Sequence, residues 1–300
     1  MNSPKPLQKG ATVGIVSTAR KISIAEIEAA IALLHSWDLK VVLGTTIELE
    51  DHQFAGDDDT RAQNFQQFMD DDHIDAIWCA RGGYGTIRII DQLDFSRCTQ
   101  KPKWIIGYSD VTVLHSKGQQ LGFETLHATM PINVPTNSAN ALRSLHQVLF
   151  GGSLTYTIPA VDFNRKGIAT GELIGGNLSM LYSMLGSDLS LQTDGKILFL
   201  EDLDEYLYHI DRMLMNLKRN GYFENLAGLI VGGMTDMHDN TIPFGKNAHE
   251  IILDVTSEYD FPICFEFPAG HLDDNRALVF GREVTLRVDS MVTLEIDSMS

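Results

Sequence analysis

The stretch Trp104-Ile105-Ile106-Gly107-Tyr108-Ser109-Asp110 is a short apolar run that stops at a glycine and sets one serine directly before a helix-like segment. A strand that ends this way projects the serine hydroxyl off the rim of a sheet. The free N–H groups of the following helix can then face a developing oxyanion. Ser109 is therefore a candidate nucleophile. The hydrolase elbow pattern asks for a second glycine two positions on, where this chain has Val111, so a plain serine N-cap is the competing reading.

Working outward, the same strand-then-turn pattern recurs. Thr12 to Ser17 reads as a strand, followed by Ser23 and Glu26 at capping-box spacing and a helix with Ile27, Ala30, Ile31 and Leu34 on one face. Leu39 to Leu43 is a second strand and Ile74 to Ala80 a third. The third ends in Arg81-Gly82-Gly83-Tyr84-Gly85, a loop whose glycines let backbone N–H groups approach a ligand. Its spacing matches neither a dinucleotide fingerprint nor a Walker loop, so a tight turn is the alternative. Strands alternating with helices imply a mainly parallel sheet, and in such sheets ligands bind outside the carboxyl ends of the strands. The glycine loop and Ser109 both follow strand ends and should share one rim.

The second half begins after a looser region with Pro131, Pro135, Gly151 and Gly152, which sets an expected boundary between residues 1–155 and 156–300. Gly171 to Leu178 is expected to be a turn passing into a helix, Lys196 to Leu200 a strand ending at Glu201, and Tyr206 to Leu217 a helix. Leu226 to Val231 is a further strand. Val284 to Val288 and Val292 to Ile296 alternate apolar and polar residues and read as a half-exposed hairpin.

The chain has 300 residues, 44% hydrophobic and 21% charged, which suits a globular enzyme of two domains. A formal net charge of −17, with no basic run, argues against nucleic acid as a partner. Three scattered cysteines fit reduced thiols, and neither a secretory pattern nor a membrane-length apolar run is present. A soluble, cytoplasmic protein is expected. The acidic clusters Asp57 to Asp59 and Asp70 to Asp72 read as solvated loops and helix ends, not metal sites.

A serine nucleophile needs a base and a group that orients it. Of ten histidines, His271 differs in following a strand and a glycine in Pro268-Ala269-Gly270-His271. Glu201, directly after an apolar strand, is the best-placed acid; Asp202, Asp204 and Glu205 suit the first turn of the next helix.

Arg81-Gly82-Gly83-Tyr84-Gly85, Gly107-Tyr108-Ser109-Asp110, Gly175-Gly176-Asn177-Leu178, Leu200-Glu201-Asp202 and Gly270-His271 follow one another in the order seen in the LD-carboxypeptidase family of serine peptidases. The chain resembles that family over nearly its whole length. The resemblance implies a flavodoxin-like α/β domain followed by a mixed β/α domain, with a Ser–His–Glu triad split between them. It makes Ser109 the nucleophile, His271 the base, Glu201 the orienting acid, and the Gly83 and Asp110 N–H groups the oxyanion hole. It implies no metal or organic cofactor, a homodimer, and a murein tetrapeptide as substrate, cut to release its terminal D-alanine during cell-wall recycling. Arg81 is a candidate for the substrate carboxylate or for a structural ion pair. Leu272 after His271, and Ser187 after Gly186, depart from the family's usual residues and bear on pocket shape. A microcin C immunity-type amidohydrolase of aminoacyl adenylate analogues is the alternative within the resemblance. A non-catalytic small-ligand-binding α/β protein is the alternative outside it.

Overall fold

A computed structural model describes residues 1–297 and holds two sheets; residues 298–300 of the expected second domain lie outside the described residues. The first sheet contains β1 (Thr12–Val16), β2 (Lys40–Leu43), β3 (Ala76–Cys79), β4 (Trp104–Gly107) and β5 (Thr125–His127). They lie in the order β2-β1-β3-β4-β5, all parallel. That is the flavodoxin-like order, with its switch point between β1 and β3. Every residue of β3 and β4 is buried, as a parallel sheet covered on both faces requires.

The second sheet begins with β6 (Leu154–Pro159), β7 (Gly167–Asn177), β8 (Ile197–Leu203), β9 (Gly228–Thr235) and β10 (Ile263–Cys264). Between that sheet's last two strands and β10 the chain makes an excursion. Strand β11 (Leu278–Phe280) leaves the second sheet and pairs antiparallel with β5 at the edge of the first, Val279 opposite Leu126. The chain then returns through β12 (Glu283–Val288) and β13 (Met291–Ile296), the expected hairpin, whose burial alternates along both strands. The second sheet runs β10-β9-β8-β7-β12-β13-β6, parallel from β10 to β7 and antiparallel beyond.

The helices follow from local chemistry. Helix α1 (Ile24–Ser36) starts where Glu26 accepts the Ser23 N–H at 2.8 Å, and α2 (Asp58–Asp70) where Asp57 accepts from Thr60 N–H at 2.7 Å. After them come α3 (Thr86–Ile89), α4 (Ser96–Gln100), α5 (Thr112–Leu121), α6 (Ala139–Leu149), α7 (Leu178–Met184), α8 (Leu207–Arg219) and α9 (Ala248–Val255). Helix α5 ends at Gly122, whose φ of 80° is the left-handed cap that glycine supplies without a Cβ clash. In α8, Ile210, Met213, Leu214 and Leu217 form the buried stripe.

One expectation is corrected. Gly171 to Asn177 is no turn but the latter part of an eleven-residue strand, β7, and the helix starts only at Leu178. A Cβ on Gly176 would lie 2.4 Å from Thr112 Oγ1 at the start of α5. The glycine that looked like a loop signal lets the second sheet close on the helix that follows Ser109. The Asn177 N–H donates to that same Thr112 hydroxyl at 3.0 Å.

Candidate active site

Ser109 sits in a single 3-10 turn, Ser109–Val111, between β4 and α5, with a φ of 63°. A left-handed backbone is unfavourable for a serine by about 1–3 kcal/mol and persists only where the surroundings fix it. Three contacts do so. The Gly107 carbonyl takes a hydrogen bond from a ring nitrogen of the buried His115 at 2.9 Å. The buried Asp110 carboxylate accepts the Thr86 N–H at 2.8 Å, tying the Ser109 turn to the end of the glycine loop. Gly82 then packs so closely that a Cβ there would lie 3.0 Å from Ser109 Cβ and 3.1 Å from its Oγ. This is the work of the glycine-rich loop: it brings peptide backbone against the hydroxyl, where a side chain would stand in the way.

The loop itself is held from behind by Arg61, fully buried. Its guanidinium donates to the carbonyls of Thr18 at 2.6 Å, Gly85 at 3.0 Å and Gly56 at 3.2 Å, and pairs with Asp58. One cation thus satisfies three rim carbonyls and an acid, the condition under which a buried charge is tolerated.

From the second sheet, Glu201 near the end of β8 is fully buried and pairs with His271, its Oε2 lying 2.6 Å from the ring Nδ1. A carboxylate only accepts, so Nδ1 carries the proton and the neutral ring has Nε2 free as a base. The His271 N–H donates to the same carboxylate oxygen at 3.2 Å, and Asn275 accepts the preceding Gly270 N–H at 2.8 Å, which fixes the loop. Burial pulls the His271 pKa down, but the Glu201 charge and hydrogen bond, with Asp202 adding, outweigh it and hold it above 6.5. Burial and the adjacent Glu201 push Asp202 up to about 6, against hydrogen bonds from Leu203, Asn177 and Ser179. The Tyr108 ring meets the His271 ring edge to face, 4.9 Å between centroids, so the residue before Ser109 packs on His271.

Ser109, His271, Gly83, Asp110 and Arg81 line one open cavity of about 430 Å³, and Glu201 stands behind His271. The Gly83 N–H donates to no group among the described residues. No hydrogen bond joins Ser109 to His271 among the described residues; catalytic contacts commonly tighten only when substrate is bound. Arg81 is engaged structurally: it lies 3.7 Å from Glu26 and donates to the Lys21 carbonyl at 3.2 Å. The cavity wall also carries Asp204, paired with His238 at 2.5 Å, and Glu205, paired with His209 at 2.6 Å.

Sequence reading missed Arg20 in this cavity, and it missed the anchoring parts played by the Asp110 carboxylate, Arg61 and Asn275. Only the left-handed turn at Ser109 links Asp110 to the loop, and no local pattern announces it. Trp78 and Trp104 are buried in strands and Trp37 packs against His146, so none of the three tryptophans reaches the cavity.

Residues 13–128 match the LD-carboxypeptidase N-terminal domain and residues 170–286 the LD-carboxypeptidase C-terminal domain. The probable murein peptide carboxypeptidase of Bacillus subtilis (strain 168) is 34% identical over 293 residues, covering 94% of this chain and 91% of that protein. The microcin C7 self-immunity protein MccF of Escherichia coli is 24% identical, covering 95% and 93%. The crystal structure of muramoyltetrapeptide carboxypeptidase from Oxalobacter formigenes superposes with a TM-score of 0.86 at 23% identity, over 96% of this chain and 99% of that one. The chain belongs to the LD-carboxypeptidase family.

Proposed function

We propose that this peptidase is a serine LD-carboxypeptidase that hydrolyses the L,D-peptide bond of a murein tetrapeptide and releases its terminal D-alanine. The observation that carries the reading is the Glu201–His271 pair on the cavity into which the strained Ser109 turn opens. The relative from Bacillus subtilis, by its name a probable murein peptide carboxypeptidase, supports the substrate class.

Neutral His271 takes the Ser109 proton at Nε2 as Oγ attacks the scissile carbonyl, and Glu201 stabilises the imidazolium that forms. The Gly83 and Asp110 N–H groups receive the oxyanion. His271 then gives its proton to the leaving amine as the C–N bond breaks, D-alanine departs, and an acyl ester remains on Ser109. Water, deprotonated by His271, attacks that ester. The shortened peptide leaves as a carboxylate and the proton returns to Ser109.

The same reading divides the chain at residues 155 and 156, gives a nucleophile-bearing and an acid–base-bearing domain, and carries over from the family a homodimer acting in cytoplasmic cell-wall recycling. Incubating the purified protein with murein tetrapeptide and measuring free D-alanine tests it. Release that disappears in Ser109→Ala is the expected result. Cleavage of an aminoacyl adenylate analogue with no action on tetrapeptide would replace it with the immunity-type activity. Failure to act on either, with ligand binding unchanged in Ser109→Ala, would make the protein a binding module.

A further inference from the structure

We propose that Arg20, and not Arg81, binds the terminal carboxylate of the substrate; the inference rests on the carboxypeptidase reading and names the residue that makes it an exopeptidase. Arg20 follows β1 and the glycine loop follows β3, so the two flank the switch point of the first sheet, where ligands of such sheets bind. Its backbone is fixed: the Arg20 carbonyl accepts the Ser17 hydroxyl at 2.6 Å, and the residue forms an antiparallel bridge with Phe54. Its stem lies over Gly83, where a Cβ would come 2.2 Å from Arg20 Cδ and 2.6 Å from Cγ. Gly83 thus lacks a side chain at the place Arg20 crosses.

Arg20 lines the cavity and is exposed, and its guanidinium has no acidic partner or carbonyl acceptor among the described residues. Arg81 differs on each count. It is partly buried, faces Glu26 and donates to the Lys21 carbonyl. Burial first, and the neighbouring Arg20 charge second, lower its pKa, against the Glu26 charge, which raises it. The spare charge belongs to Arg20.

Chain geometry makes that charge useful. In a C-terminal residue about to be released, the carboxylate carbon is three bonds from the attacked carbon, no more than about 3.7 Å away. A cation that reads it must stand beside the oxyanion donors, and Arg20 crosses Gly83 itself. The chain as a whole carries −17, so an anionic group needs a local positive spot to settle here. A guanidinium offers the planar fork that a carboxylate fills with two hydrogen bonds.

The test measures binding to Ser109→Ala protein by calorimetry, using murein tetrapeptide as the free acid and as its C-terminal carboxamide. The acid should bind about 10- to 100-fold tighter than the amide, the range expected for hydrogen bonds between charged groups. Adding Arg20→Gln should erase that preference, Arg20→Lys should restore part of it, and Arg81→Gln should leave it in place. Survival of the preference in Arg20→Gln, its loss in Arg81→Gln alone, or no preference in the parent would overturn the assignment. Tm of each variant, compared with the parent, separates lost recognition from lost folding. D-alanine release by the wild type is followed in parallel: its absence would sink the carboxypeptidase reading, whereas release together with an Arg20-independent acid preference would sink the Arg20 inference alone.

Discussion

The two strand ends that meet at the cavity hold their groups by different means. At the end of β4, Ser109 is placed by backbone: its own left-handed conformation, and Gly82 packed against its side chain. Near the end of β8 charge does the placing, through the buried Glu201 carboxylate 2.6 Å from His271 Nδ1. His115 supplies a contrast in the same protein. It is more deeply buried and has no carboxylate partner, and burial pulls its pKa down to about 4, opposed only by the hydrogen bond to the Gly107 carbonyl. Position at the first strand end should therefore respond to steric change and position at the second to charge and pH.

The most damaging substitution removes the nucleophile. Ser109→Ala should cut D-alanine release by at least about 10⁴-fold while circular dichroism and Tm stay near the parent. Glu201→Gln should lower kcat by about 10⁴-fold, because the amide no longer enforces the tautomer or stabilises the imidazolium. Its pH profile carries the sharper information. A raised His271 pKa means that the ring keeps its proton above pH 6.5, so wild-type kcat/KM should rise with pH through a midpoint above 6.5 as the neutral base forms. With Glu201 uncharged, burial prevails and that midpoint should move down; an unmoved midpoint would mean that charge does not set the base.

Gly82→Ala tests the other strand end. Its methyl would press on the Ser109 side chain from 3.0 Å, and kcat should fall about 10- to 100-fold with the acid midpoint unchanged. A shifted midpoint would break the division between a sterically held and an electrostatically held partner. The smallest effect is expected from Asp202→Asn. Asp202 is a lesser source of the raised His271 pKa, so its loss should lower the midpoint less than Glu201→Gln does and reduce kcat by less than about tenfold.

How much of this was legible in sequence follows the same division. Ser109 follows the apolar β4, Glu201 closes the apolar run of β8 and His271 lies in the loop after β10, so a strand-end reading together with the ordered motifs singled out all three. The capping of α1 and the terminal hairpin were legible because caps and alternation are local. What sequence hid depends on distant contacts. Gly175 and Gly176 imitate a turn, and only the packing of β7 on Phe199 and Thr112 reveals that the missing side chains leave room for neighbours. Arg61 sits in a polar run that reads as a helix surface, yet three carbonyls and Asp58 draw it fully inside. Arg20 has no motif; its meaning comes from crossing a loop that lies sixty-odd residues later in the chain.

Strand β11 changes what the division into halves can mean mechanically. It follows His271 within the same stretch of chain, and it is bonded into the sheet that carries Ser109. Any hinge that swung the halves apart would have to unzip β11 from β5. His271 is therefore moored to the sheet that carries Ser109, and a fragment ending near residue 155 would leave β5 as a bare edge, open to pairing with other chains.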